Sequence, residues 1–175
     1  LKQERPEWPL CGSDISRPAL ELASENARRL HLEVSFLEHD FFDSTWLQAS
    51  FPAPFNIITA NPPYIPQQEH AAIEEQVKSY EPAIALFYPD VAQVYRAIAA
   101  FARKNLAPDG VLYVEIHEGL SHALTDVFAQ AGFSQELIND YSGKPRFIHG
   151  FPAPARRASR DRYRRGRARA DGPRC

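Results

Sequence analysis

An apolar run, Phe55-Asn56-Ile57-Ile58-Thr59-Ala60, stops abruptly at Asn61-Pro62-Pro63-Tyr64, and this junction constrains the fold more than any other stretch of the chain. The run reads as a buried strand with Pro54 at its entry. Two successive prolines fix φ twice and remove two backbone donors, so the chain must leave the strand here. Pro62 also pushes Asn61 towards an extended conformation. The result is a polar side chain held at the carboxyl end of a strand by a stiff turn.

Strands and helices alternate on either side of that junction. Leu10 to Asp14 reads as a strand ending in an acid, and Ser16 as the N-cap of a helix with Pro18 in its first turn. Leu20, Ala23, Ala27 and Leu30 recur at helical spacing, with Arg28 and Arg29 placed where they favour the dipole. Val34 to Leu37 is a second strand, followed by His39-Asp40-Phe41-Phe42. After the proline turn a polar stretch to Tyr80 is expected to be partly helical. Val91 to Leu106 then shows apolar positions at Val91, Val94, Ile98, Phe101 and Ala102. Pro108-Asp109-Gly110 reads as a turn and Val111 to Ile116 as a central strand. Leu120 to Ala131 is a helix stopped by Gly132, and strands at Phe133 to Ile138 and Phe147 to His149 follow. The expectation is an α/β fold with a mostly parallel sheet built from βαβ units.

In such sheets ligands bind beyond the carboxyl ends of the strands. Asp14, Asp40 and Asn61 each stand at or just past such an end. An acid there can accept from the ribose hydroxyls of a nucleoside-containing cofactor. Asp40 or its neighbouring backbone can read an adenine edge while Phe41 packs against the ring. The plainer readings are a helix cap for Asp14 and a turn former for Asp40. Asn61-Pro62-Pro63-Tyr64 suits the holding of a planar NH2 group before an electrophile. The Asn61 side-chain oxygen and the Pro62 carbonyl accept its two N–H groups, and Tyr64 offers a flat face. The plainer reading there is a proline-rich surface turn or a peptide ligand.

At 175 residues with 44% apolar content, the chain amounts to one domain. No apolar run is long enough to span a membrane and no secretory leader is legible, so a cytoplasmic setting with Cys11 and Cys175 as free thiols is expected. Residues 151–175 hold nine Arg and two Asp, a net of +7; with −2 for the whole chain, residues 1–150 carry −9. That acidic body argues against a nucleic-acid substrate. Residues 151–175 form an Arg-rich tail, expected to be disordered and able to touch nucleic acid only non-specifically. The chain lacks methionine and opens within a helix-to-strand connection, which reads as a fragment. His117 and His122 resemble a zinc-protease helix but are five apart rather than four, so they would not share a face. His31, His39, His70 and His149 are expected at ordinary surface or turn positions.

With these residues in view the sequence resembles the HemK/PrmC family, the S-adenosylmethionine-dependent protein-(glutamine-N5) methyltransferases of peptide chain release factors. The resemblance rests on Asp14-Ile15-Ser16, Ala19-Leu20-Glu21-Leu22-Ala23, Glu25-Asn26-Ala27, His39-Asp40-Phe41-Phe42 and Asn61-Pro62-Pro63-Tyr64-Ile65-Pro66. It continues through Tyr80-Glu81-Pro82, Ala85-Leu86-Phe87, Tyr95-Arg96-Ala97-Ile98, Gly110-Val111-Leu112 with Glu115, and Asp140-Tyr141-Ser142-Gly143-Lys144-Pro145-Arg146. It runs from about Leu1 to Gly150, so residues 1–150 would be the carboxyl-terminal part of the catalytic domain.

The resemblance implies a Rossmann-like class I methyltransferase fold with helices on both faces of the sheet. It implies S-adenosyl-L-methionine as cofactor, with Asp14 on its ribose, Asp40 and Phe41 at the adenine, and Asn61 beside it. Asn61, Pro62, Pro63 and Tyr64 would clamp the glutamine of a release factor's Gly-Gly-Gln loop for direct methyl transfer, with no metal. Three departures stand out: no counterpart of the first strand and glycine-rich loop, none of the amino-terminal helical domain, and no family match for the Arg-rich tail. The missing strand should leave the edges of its two neighbours open and cofactor binding weak. An amino-methyltransferase acting on adenine or guanine, and an inactive remnant, are the competing readings.

Overall fold

The structure, a computed structural model, describes residues 1–40, 42, 54–63, 65–66, 87–88 and 90–153. Its first unit is β1 (Cys11–Asp14), α1 (Arg17–Arg29) and β2 (Ser35–Glu38), the two strands pairing in parallel from Cys11↔Ser35 to Asp14↔Glu38. The helix begins as its sequence demands. Ser16 Oγ accepts the Ala19 N–H at 3.4 Å, a proline occupies the first turn, and Arg28 and Arg29 close the last. Leu20, Ala23 and Ala27 face the strands but are only half-buried, and no residue of α1 is fully buried.

The second unit contains the core. Its elements are β3 (Phe55–Ala60), α2 (Val91–Asn105), β6 (Leu106–Glu115), a 3-10 turn at Glu118–Leu120, α3 (Ser121–Gln130), β7 (Phe133–Asn139) and β8 (Pro145–Pro152). The sheet order is β3-β6-β8-β7, with β3 parallel to β6 and the remaining two ladders antiparallel. Two further strands of two residues each, β4 (Ile65–Pro66) and β5 (Phe87–Tyr88), pair in parallel. Thus the chain just after the proline turn is tied to the approach to α2.

One face of the four-stranded sheet is sealed. Val94, Tyr95, Ile98 and Ala102 from α2, with Leu124 and Phe128 from α3, pack on Leu112, Val114, Phe133 and Ile148. Phe128 lies edge-on to both Tyr95 and Phe133, at 6.5 and 6.1 Å between ring centroids. Each of these large side chains contributes roughly 1.5–3 kcal/mol by leaving water. Gly132, at φ 85°, turns the chain from α3 into β7 in a conformation that favours glycine.

The segment expected to form a turn at Pro108-Asp109-Gly110 behaves differently. Strand pairing already begins at Leu106, opposite Phe55, and resumes at Val111 opposite Ile57. Residues 107–110 therefore bulge out of register inside β6, because Pro108 cannot donate to a ladder. The bulge is tight. A Cβ on Gly110 would sit 2.9 Å from the Phe55 carbonyl oxygen and 2.9 Å from Leu106 Cδ2. Gly110→Ala should lower the unfolding free energy by about 1–3 kcal/mol in urea denaturation, the range for forced overpacking.

Among the described residues no ladder joins β1 or β2 to β3. Among the described residues β1 pairs only with β2, and β3 only with β6. Of the polar stretch to Tyr80 only Ile65 and Pro66 are described, as strand β4; the tail expected from residue 151 starts later, since Phe151 and Pro152 close β8, and residues 154–175 lie outside the described residues.

Candidate functional site

The carboxyl ends of β1, β2, β3 and β6 carry the polar residues that matter. Asp14 is the last residue of β1 and is exposed. The Ser16 N–H donates to its Oδ1 at 2.8 Å, and the His39 N–H donates to its main-chain carbonyl at 2.9 Å. Asp40 stands two residues beyond β2, also exposed, and its Oδ1 accepts the Phe42 N–H at 2.9 Å. Asp40 thus serves the turn that follows it, as its plainer reading expected, whereas the helix cap is Ser16 and Asp14 holds only the backbone leading into it. Each spends only one oxygen on that job, and among the described residues the second accepts nothing. The parallel β1–β2 ladder brings the two carboxylates to the same end of the sheet.

Asn61 follows β3 and is exposed, Pro62 is buried and Pro63 half-buried. The Asn61 carboxamide makes no hydrogen bond among the described residues, so both its oxygen and its NH2 are available. Phe41 and Tyr64 lie outside the described residues. Since β1 and β3 belong to separate ladders, the structure groups Asp14 with Asp40, and Asn61 with the end of β6.

Ala60 pairs with Val114, which sets Asn61 beside Glu115 on the neighbouring strand. The fully buried Tyr95 donates its hydroxyl to the Glu115 main-chain carbonyl at 2.9 Å, fixing that strand end from α2. Tyr95 is absent from the apolar positions expected for this helix. It stands one turn from Val91 and one from Ile98, so its place on the buried stripe was available from spacing alone.

The same end of the sheet carries a rim that the sequence marks only as a motif. Asp140, between β7 and β8, accepts the N–H groups of Ser142 at 2.9 Å and Lys144 at 3.1 Å. It also accepts the Arg146 guanidinium at 3.2–3.3 Å. Lys144 Nζ reaches the Glu118 carboxylate at 2.9 Å, pinning the turn to the segment after β6. The Lys144 backbone N–H chiefly holds the Asp140 carboxyl below its ordinary 3.8, against an opposing effect of burial and with smaller help from the Ser142 N–H and Arg146. A depressed carboxylate stabilises the fold above its unfolded value, and that contribution disappears as pH falls through the folded value. Asp140→Asn should therefore flatten the acid limb of a stability–pH profile below about pH 4. Wild type and variant should converge at the acid end.

The remaining signals are structural. His117 Nδ1 accepts the Gly119 N–H at 3.2 Å and caps the 3-10 turn. His31 sits in a turn at φ 54°. His149 lies in the strand expected over Phe147 to His149, but half-buried, with its ring stacked on Tyr113 at 4.6 Å rather than at the surface. Burial pushes the Cys11 thiol up, which keeps it protonated and slow to react. No described helix is long and apolar enough to cross a membrane.

Comparison with known proteins places this arrangement. No protein-family model matches the chain. The release factor glutamine methyltransferase of Leptospira interrogans is 37% identical over 152 residues, which is 85% of this chain and 52% of that protein. Its counterpart from Bacteroides thetaiotaomicron is 32% identical over 151 residues, 85% of this chain and 53% of that protein. The chain spans about half the length of these curated relatives. Among solved structures, a methyltransferase from Pyrococcus furiosus matches with a TM-score of 0.60 at 13% identity, covering 87% of this chain and 67% of that one. A ribosomal protein L11 methylase from Lactobacillus delbrueckii gives 0.55 at 15% identity, over 83% and 58%.

At such identities the structural likeness speaks for the fold, and the fold is that of the Rossmann-like class I methyltransferases. Over the region matched in sequence, the chain is similar to release factor glutamine methyltransferases.

Proposed function

We propose that this chain is the catalytic portion of an S-adenosylmethionine-dependent protein-(glutamine-N5) methyltransferase acting on the Gly-Gly-Gln loop of peptide chain release factors. The observation that carries this reading is Asn61: exposed at the end of β3, followed by the buried Pro62, with its carboxamide unengaged.

The donor set suits the cofactor. Asp14 and Asp40 each keep one carboxylate oxygen for a hydroxyl or an amine, at the strand ends where nucleoside cofactors lie in this class of sheet. Asp14 would hold the ribose, with Asp40 and Phe41 at the adenine. When bound, S-adenosylmethionine supplies a methyl group made electrophilic by its sulfonium.

The chain's own work is orientation. An amide nitrogen is a poor nucleophile because its lone pair is delocalised into the carbonyl. The Asn61 side-chain oxygen and the Pro62 carbonyl would accept its two hydrogens, fixing the nitrogen and stabilising positive charge that develops there. Pro63 and Tyr64 would shape the wall against which the flat amide lies. The net −9 of residues 1–150 favours this reading over a nucleic-acid base held by the same clamp. Residues 154–175 would form a separate basic tail, and the setting would be the cytoplasm.

The test uses the full chain joined to the half of the Leptospira relative that it does not match. This chimaera is incubated with S-adenosylmethionine and a release factor, and the Gly-Gly-Gln peptide is weighed by mass spectrometry. One added methyl group on the glutamine, lost in Asp14→Ala, is the expected result. A folded, cofactor-binding chimaera that methylates adenine in nucleic acid and leaves the release factor untouched would overturn it.

A further inference from the structure

The turn between β7 and β8 is rigidly built, yet the ring at its tip stands in water. The Asp140 N–H donates to the Lys144 carbonyl at 2.8 Å, and the Gly143 N–H to the Asp140 carbonyl at 2.9 Å. The Asp140 carboxylate adds its bonds from Ser142, Lys144 and Arg146. From outside the turn, the Ile116 N–H donates to the Arg146 carbonyl at 2.9 Å, and Lys144 is paired with Glu118. Gly143, at φ 80°, makes the reversal, and among the described residues nothing lies within 4 Å of where a Cβ on it would stand. Between these fixed points Tyr141 is fully exposed. A ring held out on a fixed backbone has little freedom left to lose on contact, which is the property of a binding anchor.

The ladders set that ring beside Asn61. Glu115 pairs with Phe147, and Phe147 with Ile138, so one row runs from Asn61 across the sheet. The pair Asn139↔Pro145 already lies beyond this row, and Tyr141, two residues further, overhangs it by about 5–10 Å. β8 is two strand spacings from β3, so the turn stands about 10 Å to the side of Asn61. A glutamine whose amide sat at Asn61 would have its own Cα about 5 Å away, near the height of the turn. A free amide would not reach Tyr141. A protein presenting that glutamine on a loop would meet it.

We propose that Tyr141 is a docking anchor for the protein substrate, touching the surface beside the glutamine rather than the glutamine itself. The inference rests on the function proposed above and adds a residue that sets which proteins the site accepts. The partner would offer an apolar hollow for the ring and a hydrogen-bonding group for its hydroxyl. The open backbone at Gly143 would let the partner's chain come close. A nucleic acid would stack a base on the same ring, but the net −9 of residues 1–150 disfavours its approach.

The chimaera described above and a whole release factor test it. Tyr141→Ala should raise the KM for the release factor about tenfold or more, with kcat and S-adenosylmethionine affinity within about twofold. Tyr141→Phe should recover most of the loss, and thermal melts of both variants should match the parent. In hydroxyl-radical footprinting, Tyr141 should be labelled strongly in the chimaera and several-fold less once the release factor is added. Trp8, ahead of β1 and at the strand end away from Asp14, should not change. An unchanged KM in an active Tyr141→Ala chimaera would overturn the proposal. So would Tyr141 already protected in the chimaera alone, which would assign the cover to residues of this chain outside the described set, 154–175 among them. Protection by RNA or DNA but not by the release factor would overturn it as well. A parent chimaera that methylates no release factor would count against the proposed function itself, and this inference would fall with it.

Discussion

Asn61→Ala in the chimaera is expected to reduce methyl transfer by about 10²–10³-fold, the scale set by removing one preorganised hydrogen-bonding group from a reacting centre. The loss should fall on turnover, with S-adenosylmethionine affinity held within about threefold, since the group acts on the nitrogen as it becomes charged. Asn61 projects beyond β3 and makes no hydrogen bond among the described residues. The substitution therefore leaves no buried partner stranded and should cost little stability. Calorimetry of cofactor binding beside single-turnover methylation separates the two effects. A variant that loses binding and turnover together would show that Asn61 holds the cofactor instead.

Phe128→Ala is the largest expected loss of stability, about 3–5 kcal/mol. Phe128 is fully buried and its ring meets Tyr95 and Phe133 edge-on, joining α3 to α2 and to β7. A typical domain has only about 5–15 kcal/mol in total, so the cooperative thermal transition should shift steeply or vanish. Leu20→Ala provides the contrast. Leu20 is a half-buried residue of a helix that buries nothing fully, and its loss should cost about 1 kcal/mol or less. Circular dichroism melts of both variants would show which unit holds the chain together. Equal shifts would mean that the β1–α1–β2 unit contributes as much as the other.

Much of this was legible from local chemistry. Ser16 and Pro18 announced α1, the periodicity from Val91 announced α2, and the prolines after Ala60 ended β3 where the structure ends it. What escaped depends on residues far apart in the chain. Pro108-Asp109-Gly110 has turn composition, yet Phe55 pairs across at Leu106 and converts the turn into a bulge. His149 carries no local sign of being stacked on Tyr113, because that contact exists only once β6 and β8 pair. Asp140 to Arg146 was visible as a motif, but its role as a pinned rim needed Glu118, 26 residues away from Lys144. Asp14, Asp40 and Asn61 stand at or just past strand ends, as expected, because strand ends are easy to locate, whereas Phe41 and Tyr64 lie outside the described residues.

The two ladders that share no strand divide the labour of the site. On the proposed reading, the acids meant for the nucleoside stand on one ladder and the residues meant for the amide on the other. Neither would complete the reaction geometry by itself. Transfer would then depend on whatever fixes the distance between them, and catalytic competence would be a property of assembly rather than of any single residue. In such a molecule, tightening or loosening one non-covalent joint would act as a throttle on the chemistry without altering a reacting group.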